Sequence, residues 1–105
     1  MNAIAMPAYV IVNVDTKHPE KYERYKEIAQ KTVAQYGGRY LARGGRMQVL
    51  EGKWEPTRIV ILEFPSYEKA QEWWNSAEYA PAKELRQQLS TTDLLIVDGY
   101  RPTTS

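Results

Sequence analysis

Arg58-Ile59-Val60-Ile61-Leu62-Glu63-Phe64, stopped by Pro65, is the stretch whose reading decides the fold. Val60, Leu62 and Phe64 alternate with Ile59 and Ile61, so a strand built from it has no polar face to give to water. Proline ends it because it brings no N–H to a ladder. Tyr9-Val10-Ile11-Val12-Asn13-Val14, inside the segment 8–15, reads the same way. These two runs are the expected central strands of one sheet.

Working outward, Pro19 follows the turn Asp15-Thr16-Lys17-His18 and suits the first position of a helix. From there Tyr22, Tyr25, Ala29, Thr32, Val33 and Tyr36 recur at helical spacing until Gly37. A second strand region begins at Gly38, runs through Arg39 to Arg43, breaks at Gly44-Gly45 as a bulge or tight turn, and resumes over Met47–Glu51. Beyond Pro65, Ser66 is a candidate N-cap for a helix whose Ala70, Trp73, Trp74 and Ala77 share a face, with Asn75-Ser76 as a second capping point. Pro81 kinks or restarts that helix, and Ala82, Leu85, Arg86 and Leu89 carry its inward stripe onward. Asp93 to Asp98 makes the last strand.

The order β-α-β-β-α-β, joined by right-handed crossovers, gives an α+β fold of the ferredoxin-like kind. Its four-stranded antiparallel sheet carries both helices on one face. The central strands are apolar on both faces, so the uncovered face needs a partner, and a second copy of the chain is the expected one. Residues 8–100 form this single domain, with 1–7 a loose leader and 101–105 a flexible tail.

A chain of 105 residues holds one core, not two. Its 14 Lys and Arg against 13 Asp and Glu leave a formal charge of +1, which gives no basic excess for nucleic acid or an anionic membrane. The absence of Cys excludes disulfides, thiolate metal sites and a Cys nucleophile, and fits a cytoplasmic protein. No apolar run approaches a membrane span, and the first residues lack a signal-peptide pattern.

Four motifs, YGGRYLARGG (36–45), LEGKWEPTRIVILEFPS (50–66), WWNSAEYAPAKELR (73–86) and VDGY (97–100), together resemble the domain of unknown function 1330 family, within the dimeric α/β-barrel superfamily. The resemblance spans about residues 8–100. It implies a barrel made by two sheets in a homodimer, and it supplies no activity. The chain departs from the family pattern at His18-Pro19, where such sequences usually read Asp-Pro, so no role for that turn is carried over. Relatives by fold in that superfamily include cofactor-free monooxygenases, haem-degrading enzymes, isomerases and dehydratases. The spacing of Trp73 and Tyr79 is similar to that of aromatic residues used by the cofactor-free monooxygenases.

Arg86 stands on an otherwise apolar stripe, so its charge is aimed inward and needs a carboxylate or an anionic ligand; Glu63 is one candidate partner. Tyr22, Tyr25, Trp73 and Tyr79 offer flat area with donors at the tips, and eight Tyr against one Phe point to a moist cavity under the helices. Arg39 and Arg43 flank Leu41 on one expected strand face, with Glu51 able to oppose them across the glycine break. His18 is the only histidine, too few for a metal site or a conventional triad. Neither helix carries the histidine that haem-degrading relatives use, 58–64 lacks the glycine-aromatic pattern of RNA-binding modules, and no glycine loop is followed by the Lys of a phosphate site.

The expectation is a small-molecule enzyme or binder similar to cofactor-free monooxygenases or isomerases, acting on a small anionic or aromatic compound without metal or cofactor. The candidate ligand-binding residues are Tyr25, Arg43, Glu63, Trp73, Tyr79 and Arg86. Arg86 would hold the anion and Tyr79 would relay a proton. The alternative is a non-catalytic homodimeric binding or structural module in which the same residues only pack.

Overall fold

A computed structural model of the chain describes residues 6–100. The elements are β1 (Ala8–Thr16), α1 (Pro19–Gln35), β2 (Arg39–Arg43), β3 (Ile59–Phe64), α2 (Tyr67–Trp74), α3 (Ala80–Leu89) and β4 (Ser90–Asp98). The strands form one sheet in the order β2-β3-β1-β4, each neighbouring pair antiparallel, so the two runs that are apolar on both faces are central. The expected leader and tail fall mainly on residues 1–5 and 101–105, which lie outside the described residues. Pro7, assigned to the leader, already belongs to the domain, because its carbonyl accepts the Gly99 N–H at 2.7 Å.

Helix ends follow local chemistry. Pro19 opens α1, and Gly37 at φ 78° closes it. There the Gly37 and Gly38 N–H groups donate to the carbonyls of Ala34 (3.0 Å) and Val33 (2.9 Å), the paired bonds of a Schellman turn. The Ser66 hydroxyl caps α2 by accepting the Lys69 N–H. Between α2 and α3, Ser76 Oγ donates to the Trp73 carbonyl (2.8 Å) and accepts the Tyr79 N–H (3.0 Å), so the break expected near Pro81 is a hydrogen-bonded corner.

The core lies between the helices and one face of the sheet. That face carries Ala8, Val10, Val12 and Val14 of β1 and Val60, Leu62 and Phe64 of β3, all buried. On the open face Ile11, Ile59 and Ile61 are half-buried, and Leu41, Leu95 and Val97 are exposed.

Two expectations about the second strand region are corrected. Met47–Glu51 is not a strand; residues 45–58 form an arm outside the sheet, with Leu50 85% and Trp54 63% exposed. No described strand pairs with this alternating segment. The irregularity in the ladder falls at Leu41, before the glycine pair: Arg39 lies opposite Glu63 and Tyr40 opposite Leu62, but Ala42 lies opposite Ile61 and Arg43 opposite Val60. One extra residue reverses the alternation. Arg39 therefore stands on the open face and Arg43 on the helix face, and they do not share a side.

Candidate functional site

Helical spacing places Tyr22, Tyr25, Ala29, Thr32 and Val33 of α1 against the sheet, and the corner between α2 and α3 drops Tyr79 beside them. The Tyr79 ring packs 4.1 Å, centroid to centroid, from Trp73, which packs 5.3 Å from Phe64. Trp73 is pinned as well as buried. Its Nε1–H donates to Thr32 Oγ1 (3.0 Å), and the Thr32 hydroxyl donates to the Ala29 carbonyl (2.8 Å).

Arg86, one turn inside α3, is 3% exposed, and no carboxylate lies within 4.0 Å of it among the described residues. Its Nε–H donates to Tyr79 Oη at 3.3 Å, and Tyr79 Oη lies 2.9 Å from Tyr25 Oη. Tyr79 is wholly enclosed, and either hydroxyl of the Tyr79–Tyr25 pair can supply the proton of their shared bond. Burial, followed by the adjacent Tyr79 oxygen, pushes the Tyr25 hydroxyl far above the ordinary tyrosine range. Burial also raises Tyr22, to about 12. Burial works to strip the Arg86 proton, but the Tyr79, Tyr25 and Tyr22 oxygens outweigh it, and the group stays a cation.

Two spaces adjoin this chain of hydrogen bonds. A cavity of about 30 Å³, enough for a water-sized guest, is lined by Tyr22, Tyr25, Tyr40, Arg43, Arg58 and Trp73 over the Val12, Val14 and Val60 floor. A cleft of about 270 Å³ at the junction of α3 and β4 is lined by Trp74, Arg86, Gln87, Ser90, Thr92 and Leu94. No described polar side-chain atom is both enclosed and unpaired, so the two Arg86 Nη groups, which have no partner among the described residues, open on this cleft. The Arg86 guanidinium also sits 5.7 Å from the centre of the Trp74 ring.

The structure thus brings Tyr25, Trp73, Tyr79 and Arg86 together and adds Arg43 at the cavity's rim. It does not bring Glu63. That carboxylate is on the open face, bonded to Arg39 Nε at 2.7 Å, with the sheet between it and Arg86; Arg39 takes this partner and not Glu51. His18 is exposed, without a side-chain capping bond. Arg58, Tyr40 and Trp74 were missed as site residues. Arg58 has the parity of Val60 and Leu62, but the sequence alone does not say which face of that strand meets the helices; Tyr40 and Trp74 carried no signal separating them from packing residues. Among the described residues no three His, Cys, Asp or Glu side chains stand close enough to hold a metal ion.

Known proteins of this shape are varied. A protein of unknown function from Rhodopseudomonas palustris superposes with a TM-score of 0.74 at 19% identity, over 92% of this chain and 85% of that one. A hypothetical protein of Arabidopsis thaliana gives 0.64 at 18%, over 100% and 96%. SnoaB, a cofactor-independent oxygenase from Streptomyces nogalater, gives 0.63 at 12%, over 94% and 97%. These likenesses establish the ferredoxin-like α/β fold. No curated protein sequence matches the chain. The model of the domain of unknown function DUF1330 does match, over residues 7–100, and the protein belongs to that family.

Proposed function

We propose that the protein is a homodimeric small-molecule enzyme or binder that works without metal or cofactor in the cytoplasm, and that its ligand is a small organic anion held by Arg86. One observation carries the reading: a buried arginine, 3% exposed as a residue, has a tyrosine hydroxyl as its bonded side-chain partner and no carboxylate among the described residues. Such a charge is costly to bury unpaired, and an anion in the adjoining cleft would offset that cost. Tyr79 is then a positioning residue: by occupying Nε it turns the Nη fork toward the cleft, where a carboxylate, phenolate or enolate oxygen is met by two donors. The Trp74 face and Leu94 supply apolar area for a flat body, and a volume near 270 Å³ suits a single-ring compound. That SnoaB is a cofactor-independent oxygenase of the same fold supports this class of chemistry by analogy alone.

Thermal melting of the wild type and Arg86→Met with benzoate and 4-hydroxybenzoate tests the proposal. The wild-type melting point should rise with acid concentration, because a ligand of the native state stabilises by mass action. Arg86→Met should show no rise, while melting without ligand no lower than the wild type, since an uncompensated charge has been removed. A variant that melts much lower, together with acids that never move the wild type, would give Arg86 a structural role in a non-catalytic module.

A further inference from the structure

The cavity on the other side of the tyrosine chain has a charged rim that the Arg86 reading does not use. Arg43 and Arg58 both line it, with Lys26 beside them. Lys26 is neutralised by Glu23 at 2.7 Å, but neither arginine has a carboxylate within 4.0 Å among the described residues, although Glu23 and Glu27 line an adjoining hollow that both arginines also border. Arg43 donates one bond, from Nη1 to Gln30 Oε1 at 3.0 Å, and lies 4.4 Å over the Tyr40 ring. Arg58 is half-buried, and its side chain has no hydrogen-bond partner among the described groups.

Two separate backbone irregularities aim these side chains at one point. The bulge at Leu41 moves Arg43 to the helix face opposite Val60. Arg58 precedes Val60 by two residues on the same side, which makes the two arginines diagonal neighbours across β2 and β3. Gly44, at φ 68°, then lets the Arg58 guanidinium lie against the backbone: a Cβ there would stand 2.7 Å from Arg58 Nε and 3.0 Å from Nη2.

We infer that Arg43 and Arg58 form a second oxyanion-binding subsite at the mouth of the tyrosine-lined cavity, taking a carboxylate or phosphate group. Two planar forks with free N–H donors suit such a group, and the rings of Tyr22 and Tyr40 wall the approach. The enclosed space of about 30 Å³ holds no more than a water-sized group, so the anion sits at its mouth between the two guanidinium forks and the rest of the ligand stays outside. This subsite does not depend on Arg86 binding an anion.

Calorimetric titration with inorganic phosphate and with benzoate tests it, on the wild type, on Arg86→Met, and on Arg86→Met combined with Arg58→Gln, Arg43→Gln or Arg39→Gln, so that the Arg86 site is absent from the comparison. At least one probe should bind Arg86→Met saturably, and adding either Arg58→Gln or Arg43→Gln should weaken that binding by about tenfold, the loss of one charge-assisted contact. Adding Arg39→Gln, whose guanidinium is paired on the opposite face, should leave it unchanged. Binding to Arg86→Met that survives the addition of both Arg43→Gln and Arg58→Gln, or an Arg86→Met protein that binds neither probe, overturns the subsite. Binding by the wild type that is lost in Arg86→Met overturns it while supporting the Arg86 site. Circular dichroism confirms that each variant is folded before it is titrated.

Discussion

Around Arg86 the packing surrounds a cation with neutral phenols. Tyr22 and Tyr25 are both pushed above the ordinary tyrosine value of 10.0, chiefly by burial, and Tyr22 reaches about 12. Their raised values mean that the unfolded chain loses these protons first. The stabilisation is fully present below pH 10.0 and drains away as pH rises toward about 12. Alkaline titration should therefore show tyrosinate absorbance appearing together with loss of helix signal in that window. All eight tyrosines ionising at the ordinary value with no loss of structure would contradict the buried chain. Arg86 itself was legible from spacing, because Leu85 and Leu89 flank it on a helical stripe. The wrong partner, Glu63, has an equally physical origin. Both faces of β3 are apolar, so the sequence could not say whether Val60-Leu62-Phe64 or Ile59-Ile61-Glu63 turns toward the helices.

Elements were readable where they close their own hydrogen bonds and unreadable where they do not. Pro19, Gly37 and Ser66 mark helix ends through bonds made within a few residues, and all three hold. The arm over 45–58 carries the alternation of a strand, but alternation says that a segment wants a ladder and not which chain supplies one. The glycine pair, read as a bulge or tight turn, does end the strand, with Gly44 at φ 68°, but the bulge itself is at Leu41, because an ordinary residue can be extra in a strand without any mark in its type. On the dimer reading the arm belongs to the contact between copies, since nothing among the described residues buries Leu50, Val49, Met47 and Trp54 fully. Leu50→Asp should leave unfolding at the lowest protein concentrations unchanged, because the side chain is already in water there. It should raise the concentration at which copies associate by tenfold or more, as expected when an apolar contact becomes a buried charge. Unchanged association in a concentration series would place the arm outside the contact.

For the molecule as a whole, the dimensions agree with an incomplete body. The extents are 49 × 38 × 17 Å, a slab one sheet and one helix layer thick, and the radius of gyration is 15.0 Å where about 13 Å is usual for a compact chain near this length. The open face presents Ile11, Ile59, Ile61, Leu95 and Val97, and it continues into a hollow of about 500 Å³ under the arm, lined by Ala42, Met47, Leu50, Trp54 and Ile59. Two such faces pressed together would remove both from solvent with one symmetric contact. Sedimentation equilibrium at micromolar concentration measures that association directly. A mass of twice 12.2 kDa is the predicted result, and a homogeneous species of 12.2 kDa would contradict the pairing of faces on which the account rests.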